Sequence, residues 1–170
     1  MKKLFKMRDI QIKTNQSQWQ LISLAVLRIA IGWHFLYEGL IKVANPDWSA
    51  AYFLNNAVGP FAALFKSIAM NPALLGFADF LNQWGLVAIG IGLMIGLLSR
   101  WACLGGMLLL GMYYLANPPF ISLGDAATME GNYLIVNKNL IEILALWVLF
   151  KFNDSKVFGI DRFFSIKPKR

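Results

Sequence analysis

Cysteine and histidine are nearly absent: the chain has one of each, Cys103 and His34. A single thiol excludes a disulfide framework and a CxxC redox pair, leaving Cys103 as a small packing residue. A single imidazole excludes a bis-histidine haem. No P-loop, HExxH or G-x-S-x-G segment occurs, so phosphate-cradle, zincin and hydrolase-elbow chemistries have no footing. Gly90, Gly92 and Gly96 follow G-x-G-x-x-x-G rather than the dinucleotide spacing, and they lie inside an apolar run. No metal-ligating set can be read. Acidic residues are also scarce, nine against sixteen Lys and Arg, for a formal charge of +7.

What is abundant is apolar. Hydrophobic residues make up 58% of the chain, above the roughly 45–50% of soluble globular domains. A soluble domain of 170 residues has too little interior to hide them, whereas a bilayer has room. That length suits one domain and is short for a soluble catalytic domain beside a membrane anchor. Four stretches, about 21–43, 74–98, 101–116 and 133–150, approach the roughly 20 apolar residues that cross a hydrocarbon core. The expected fold class is therefore all-α, an integral membrane four-helix bundle. Asn117-Pro118-Pro119 stops the third stretch, because proline removes a donor and clashes with the preceding turn. Ser99-Arg100 reads as a tight turn joining the second and third. Trp19, Trp48, Trp101 and Tyr133 fall at stretch ends, where amphipathic rings settle among headgroups. The first stretch carries His34, Glu38 and Lys42 and is too long for a signal-peptide core, so it is expected to be retained.

The basic residues are unevenly placed. Lys2, Lys3, Lys6, Arg8 and Lys13 precede the first stretch, Arg100 sits between the second and third, and Lys151, Lys156, Arg162, Lys167, Lys169 and Arg170 follow the last. This is the positive-inside pattern. It places residues 1–20, 99–100 and 151–170 in the cytoplasm, makes the bilayer the first partner and leaves no need for nucleic acid. Whether a protein partner or a second copy joins it stays open.

Two connections are more than turns. Residues 44–73 are broken by Asn45-Pro46, Gly59-Pro60 and Asn71-Pro72. Trp48, Tyr52 and Phe53, then Phe61, Leu64, Phe65 and Ile68, follow helical spacing. Two short amphipathic helices across the outer mouth are expected, with Asn45 capping the first. The outer loop 116–132 carries Asp125 and Glu130. The tail, with Phe152, Phe158, Phe163 and Phe164 among basic residues, reads as a segment lying on the inner leaflet. Gly92-x-x-x-Gly96 is expected to let helices approach closely, against Gly105 and Gly106.

The candidate site is built from residues that do not belong in lipid. An ionisable group at mid-span costs about 2.5–3.5 kcal/mol, so it faces the bundle interior and a partner. His34, Glu38 and Lys42 lie at i, i+4, i+8 on one face of the first stretch, with Arg28 deeper. Asp79, Asn82 and Gln83 share a face of the second stretch, Tyr113, Tyr114 and Asn117 end the third, and Lys138, Asn139 and Glu142 open the fourth. Their depths predict a polar cavity in the outer half, roofed by 44–73. His34 and Glu38 are the candidate catalytic, proton-handling groups. Lys42, Asp79, Asn82, Gln83, Tyr113, Asn117, Lys138 and Asn139 are the candidate substrate-binding set. Arg28 and Glu142, at matching depth on antiparallel helices, are expected to form a structural ion pair. Lys42 and Asp79 are expected to meet at the rim. A plainer reading also stands, in which these groups only fix helix register.

Leu27-Arg28, Gly32, Phe35, Gly39 and Lys42 resemble the R-x3-G-x6-G-x2-K pattern of DoxX-type membrane proteins, a family that includes DoxD-like subunits. Asn117-Pro118 and Lys138-Asn139-Leu140 are similar to it as well, so the resemblance covers roughly residues 20–150. It implies a four-helix protein of a bacterial inner membrane, linked to redox chemistry and associated with oxidoreductase or stress-response partners; the residues identify no cofactor, and quinone is the candidate the resemblance offers. Neither the family nor the residues supply an agreed catalytic set. A non-catalytic scaffold or accessory subunit is the rival reading, and a small-molecule carrier is a third.

Overall fold

The computed structural model describes residues 18–119, 132–152 and 154–165. The N-terminal basic cluster, Asp125, Glu130 and the last basic residues fall outside them. The described chain is mostly helical. Its four longest helices are α1 (Gln18–Ala44), α4 (Pro72–Ile95), α5 (Ser99–Ala116) and α6 (Lys138–Phe152). Short helices α2 (Ala51–Asn55) and α3 (Ala62–Met70) occupy the first connection, as the aromatic spacing predicts. A hairpin of β1 (Asn132–Tyr133) and β2 (Val136–Asn137), paired Asn132 to Asn137 and Tyr133 to Val136, leads into α6. Helices α7 (Ser155–Phe158) and α8 (Asp161–Ser165) complete the described chain.

Helices α1 and α4 are long and apolar enough to cross a membrane, and only 22% and 17% of their most apolar stretches is buried inside the protein. Most of that apolar surface therefore faces outward, where the core helix of a water-soluble protein would hide it. With 18 and 15 residues, α5 and α6 are about 27 and 22 Å long at the usual helical rise.

The long helices pack antiparallel in the order α1, α4, α5, α6, with α6 also touching α1. Between them Ile31, Phe35, Leu86, Leu93, Cys103, Leu110, Leu146 and Leu149 form one buried core. The α1–α4 seam is made by Gly32, Gly39 and Gly90: a Cβ on Gly90 would come within 2.4 Å of the Leu36 backbone nitrogen. The expected small-residue seam at Gly92 and Gly96 is therefore displaced. Gly96 instead ends α4 in the left-handed conformation, φ 70°, which glycine adopts without penalty.

Boundaries differ from the sequence reading where a side chain caps a helix. Asn71, not Asn45, is a true N-cap: its side chain accepts from the Ala73 and Leu74 N–H groups and Pro72 opens α4. Asn45 only accepts from Asp47 N at 3.2 Å, in a turn. Helix α6 begins at Lys138 rather than Tyr133, because residues 132–137 form the hairpin and Asn137 accepts from Leu140 N at 3.0 Å. The bend between α4 and α5 lies at 96–98, and Ser99-Arg100 is already the first turn of α5.

The tail makes specific contacts with the bundle. It folds back and closes the end of the bundle where α4 stops and α5 starts. A helix leaves its last four carbonyls and first four N–H groups without helical partners. Here Arg28 donates to the Leu93 and Met94 carbonyls, Ile160 N to Ile95 O (3.1 Å) and Asp161 N to Gly96 O (2.9 Å). The Asp161 carboxylate accepts from Leu98 N (2.7 Å) and Ser99 N (3.1 Å). That contact holds Leu98 at φ 50°, a left-handed conformation that costs a non-glycine residue about 1–2 kcal/mol.

Candidate functional site

Arg28 corrects one expectation. Its partner is Asp154, Nε to Oδ2 at 3.0 Å with both side chains 1% exposed, and not Glu142. Its Nη2 donates to Phe158 O at 2.8 Å, and its charge sits at the negative end of the α4 dipole. Depth counting along the helices missed this because Asp154 reaches Arg28 from beyond the end of α6. The available signal was compositional: Asp154 and Asp161 are the only two carboxylates in the otherwise basic stretch 151–170.

Glu142 is free for another role. His34 and Glu142 face each other between α1 and α6, Nδ1 to Oε1 at 3.0 Å, and Lys138 Nζ lies 3.0 Å from His34 Nε2. An ammonium donating to Nε2 requires the imidazole proton on Nδ1, and Nδ1 is buried near Glu142 without a hydrogen bond to it. Glu142 Oε2 is buried and has no hydrogen-bonding partner among the described residues. Glu38 lies 4.0 Å from His34 and 3.6 Å from Lys42. The i, i+4, i+8 face of α1 and the polar face of α6 thus join into one chain of ionisable groups.

Lys42 carries this chain into the mouth. Its ammonium stands over the Trp48 ring at 5.4 Å and the Tyr113 ring at 5.9 Å, both within cation–π range. It does not pair with Asp79, which turns to the roof: Asp79 accepts from Ser49 Oγ (2.9 Å) and Ala50 N (2.7 Å), pinning the start of α2 onto α4. The expected meeting at the rim fails because α2 takes the carboxylate first.

A cavity of about 190 Å³ lies against His34, Glu38, Lys42, Tyr113, Lys138 and Asn139. A second, about 530 Å³, is walled by Lys42, Trp48, Phe53, Asn82, Tyr113 and Asn139 among others. They share Lys42, Tyr113 and Asn139. Tyr113 and Asn82 both line the larger cavity, and the Phe53 ring packs edge-on against Tyr113 at 5.5 Å. Phe53 and Trp48 were legible as helix-spaced aromatics but not as cavity walls.

Two candidates stand apart. With its amide nitrogen toward the chain, Asn117 donates to the Asn56 (3.1 Å) and Ala116 (3.3 Å) carbonyls. Beside it Val58 N and Gly59 N donate to Ala116 O, and a Cβ on Gly59 would strike Leu115 O at 1.8 Å. Asn117 thus ties the α2–α3 connection to the end of α5. Gln83 is half-buried and lines none of the cavities described. Tyr114 donates to Ile135 O at 2.8 Å, fastening the hairpin.

In the tail, burial disfavours the Asp161 carboxylate, but hydrogen bonds from Ser155 Oγ and from the Ser99 and Leu98 N–H groups outweigh it. They hold its pKa below the ordinary value. No group of three or more His, Cys, Asp or Glu among the described residues is arranged to hold a metal. The chain matches no protein-family model, no curated protein and no solved structure.

Proposed function

We propose that this is a DoxX-like bacterial inner-membrane protein whose four long helices all cross the bilayer, with both termini cytoplasmic. In this reading it is the quinone-binding component of an oxidoreductase that works with a protein partner. The outward-facing apolar surfaces of α1 and α4 and the skewed basic residues support the membrane assignment. The observation that carries the functional reading is the joining of an ionisable chain, Lys138–His34–Glu142 with Glu38–Lys42, to a cavity walled by aromatic rings and carboxamides. Register alone would need pairs, whereas here Glu142 Oε2 is buried without a hydrogen-bonding partner among the described residues, and Glu38 and Lys42 line a cavity.

The cavity fits a planar head group with carbonyl oxygens. Asn82, Asn139, Tyr113 and Lys42 can donate hydrogen bonds to such oxygens, and Trp48 and Phe53 offer flat walls. About 530 Å³ lies within the range of ordinary ligand sites, roughly 300–1,000 Å³. A quinone supplies the two-electron, two-proton capacity when bound. His34 and Glu38 line the smaller cavity and can exchange protons with its occupant, with Glu142 3.0 Å behind His34 Nδ1. Lys138 and Lys42 offset the negative charge of the two glutamates. Asp79 and Asn117 keep the α2–α3 roof in place and limit water.

Purification with native lipid tests this. Quinone turnover by the chain with its partner, lowered roughly a hundredfold in His34→Gln, supports the reading. A tightly bound partner with neither quinone nor turnover would show a scaffold instead.

A further inference from the structure

A third cavity lies beneath α3, about 270 Å³, and its walls are almost wholly apolar: Leu54, Phe65, Ile68, Phe77, Leu81 and Met112 are among them. It shares Ala50, Phe53, Asn82 and Tyr113 with the polar cavity. At this junction the Tyr113 hydroxyl and the Asn82 carboxamide oxygen are each buried with no hydrogen-bonding partner among the described residues. On the far side Phe77, Leu81 and Met112 are half-exposed. The mouth of this cavity is therefore apolar and opens sideways between α4 and α5.

The geometry points to a tail subsite: the ligand is an amphiphile whose polar head occupies the cavity of Lys42 and Asn82 and whose single apolar chain runs under α3. This rests on the head-group reading above and goes beyond it by naming a membrane-borne, tailed molecule over a water-soluble one. A water-soluble substrate has no use for an apolar chamber that shares its walls with the polar site. A chamber opening through an apolar rim admits molecules arriving from lipid. The buried Tyr113 hydroxyl and Asn82 oxygen, both unpartnered among the described residues, mark where head gives way to chain, because polar atoms there need a partner.

The test compares binding of a tailless benzoquinone, the same quinone with a decyl chain, and decanoate to the protein in lipid nanodiscs. Ala78→Phe and Met112→Trp, which fill the apolar cavity from α4 and α5, provide the controls. We expect the decyl quinone to bind at least about tenfold more tightly than the tailless one, since tenfold corresponds to only 1.4 kcal/mol. Each variant should remove that preference and leave tailless binding unchanged. Equal binding of the two quinones overturns the tail subsite and leaves the head reading intact. A preference that both variants retain is mere partition into lipid and also overturns it. Decanoate binding as well as the decyl quinone, with loss in the variants, keeps the tail subsite and overturns the quinone assignment. Failure of every probe to bind overturns both.

Discussion

Asp154→Ala is the most severe single change this structure predicts outside the cavities. It removes the carboxylate 3.0 Å from Arg28 Nε, at a place where both side chains are 1% exposed. The guanidinium then stays buried with only the Leu93, Met94 and Phe158 carbonyls for company. Stranding one partner of a buried pair costs about 3–5 kcal/mol. For a chain of this size that is a fall in unfolding midpoint on the order of 10 °C. Cys103 provides the assay: it is the sole cysteine and is 1% exposed, so a thiol-reactive fluorophore reports its release on heating. Arg28→Ala should cost a similar amount, and the double variant no more than the worse single. Arg28→Ala with Glu142→Ala should instead be additive, because Glu142 faces His34. Additive losses for Arg28 with Asp154, or strong coupling of Arg28 with Glu142, would refute the reasoning.

Three further outcomes follow from the same geometry. The depressed Asp161 pKa means its contribution is complete above the ordinary carboxylate pKa and is lost as pH falls through the lower folded value; acid should release α8 by hydrogen exchange, and Asp161→Leu should release it at neutral pH. Gly90→Ala drives a Cβ into the Leu36 backbone, and should lower stability by roughly 1–3 kcal/mol, whereas Gly76→Ala, which meets nothing within 4 Å, should not. In a Cys103→Ser background, a cysteine at Asn56 should react with an impermeant reagent on intact cells while one at Lys156 is spared; the opposite pattern would invert the proposed topology.

The helices were legible because apolar runs and proline breaks are local signals, and the α2–α3 roof because its aromatics repeat at helical spacing. The polar faces of α1 and α6 were legible for the same reason: residues at i and i+4 share a face whatever the tertiary fold. What escaped was set by distant contacts. Asp154 reaches Arg28 across 126 positions of sequence, and no periodicity announces such a pair. Asp79 looked like a match for Lys42 by depth, but a backbone N–H and a hydroxyl at the start of α2 reach it first. The hairpin before α6 was hidden because Tyr133, Leu134, Ile135 and Val136 are apolar and extend the helical run. The apolar chamber under α3 depends on how that helix sits over α4, which composition does not encode.

A quinone head group in the cavity bounded by Lys42, Asn82, Tyr113 and Asn139, as proposed, should survive gentle extraction. The most direct measurement is mass spectrometry of the quinone that stays with the protein when it is extracted together with its native lipid. The wild type should carry a stoichiometric quinone. Asn82→Leu should lose it, and Gln83→Leu, a neighbour outside the cavity, should keep it. No quinone in the wild type, or equal amounts in wild type and Asn82→Leu, would contradict the claim.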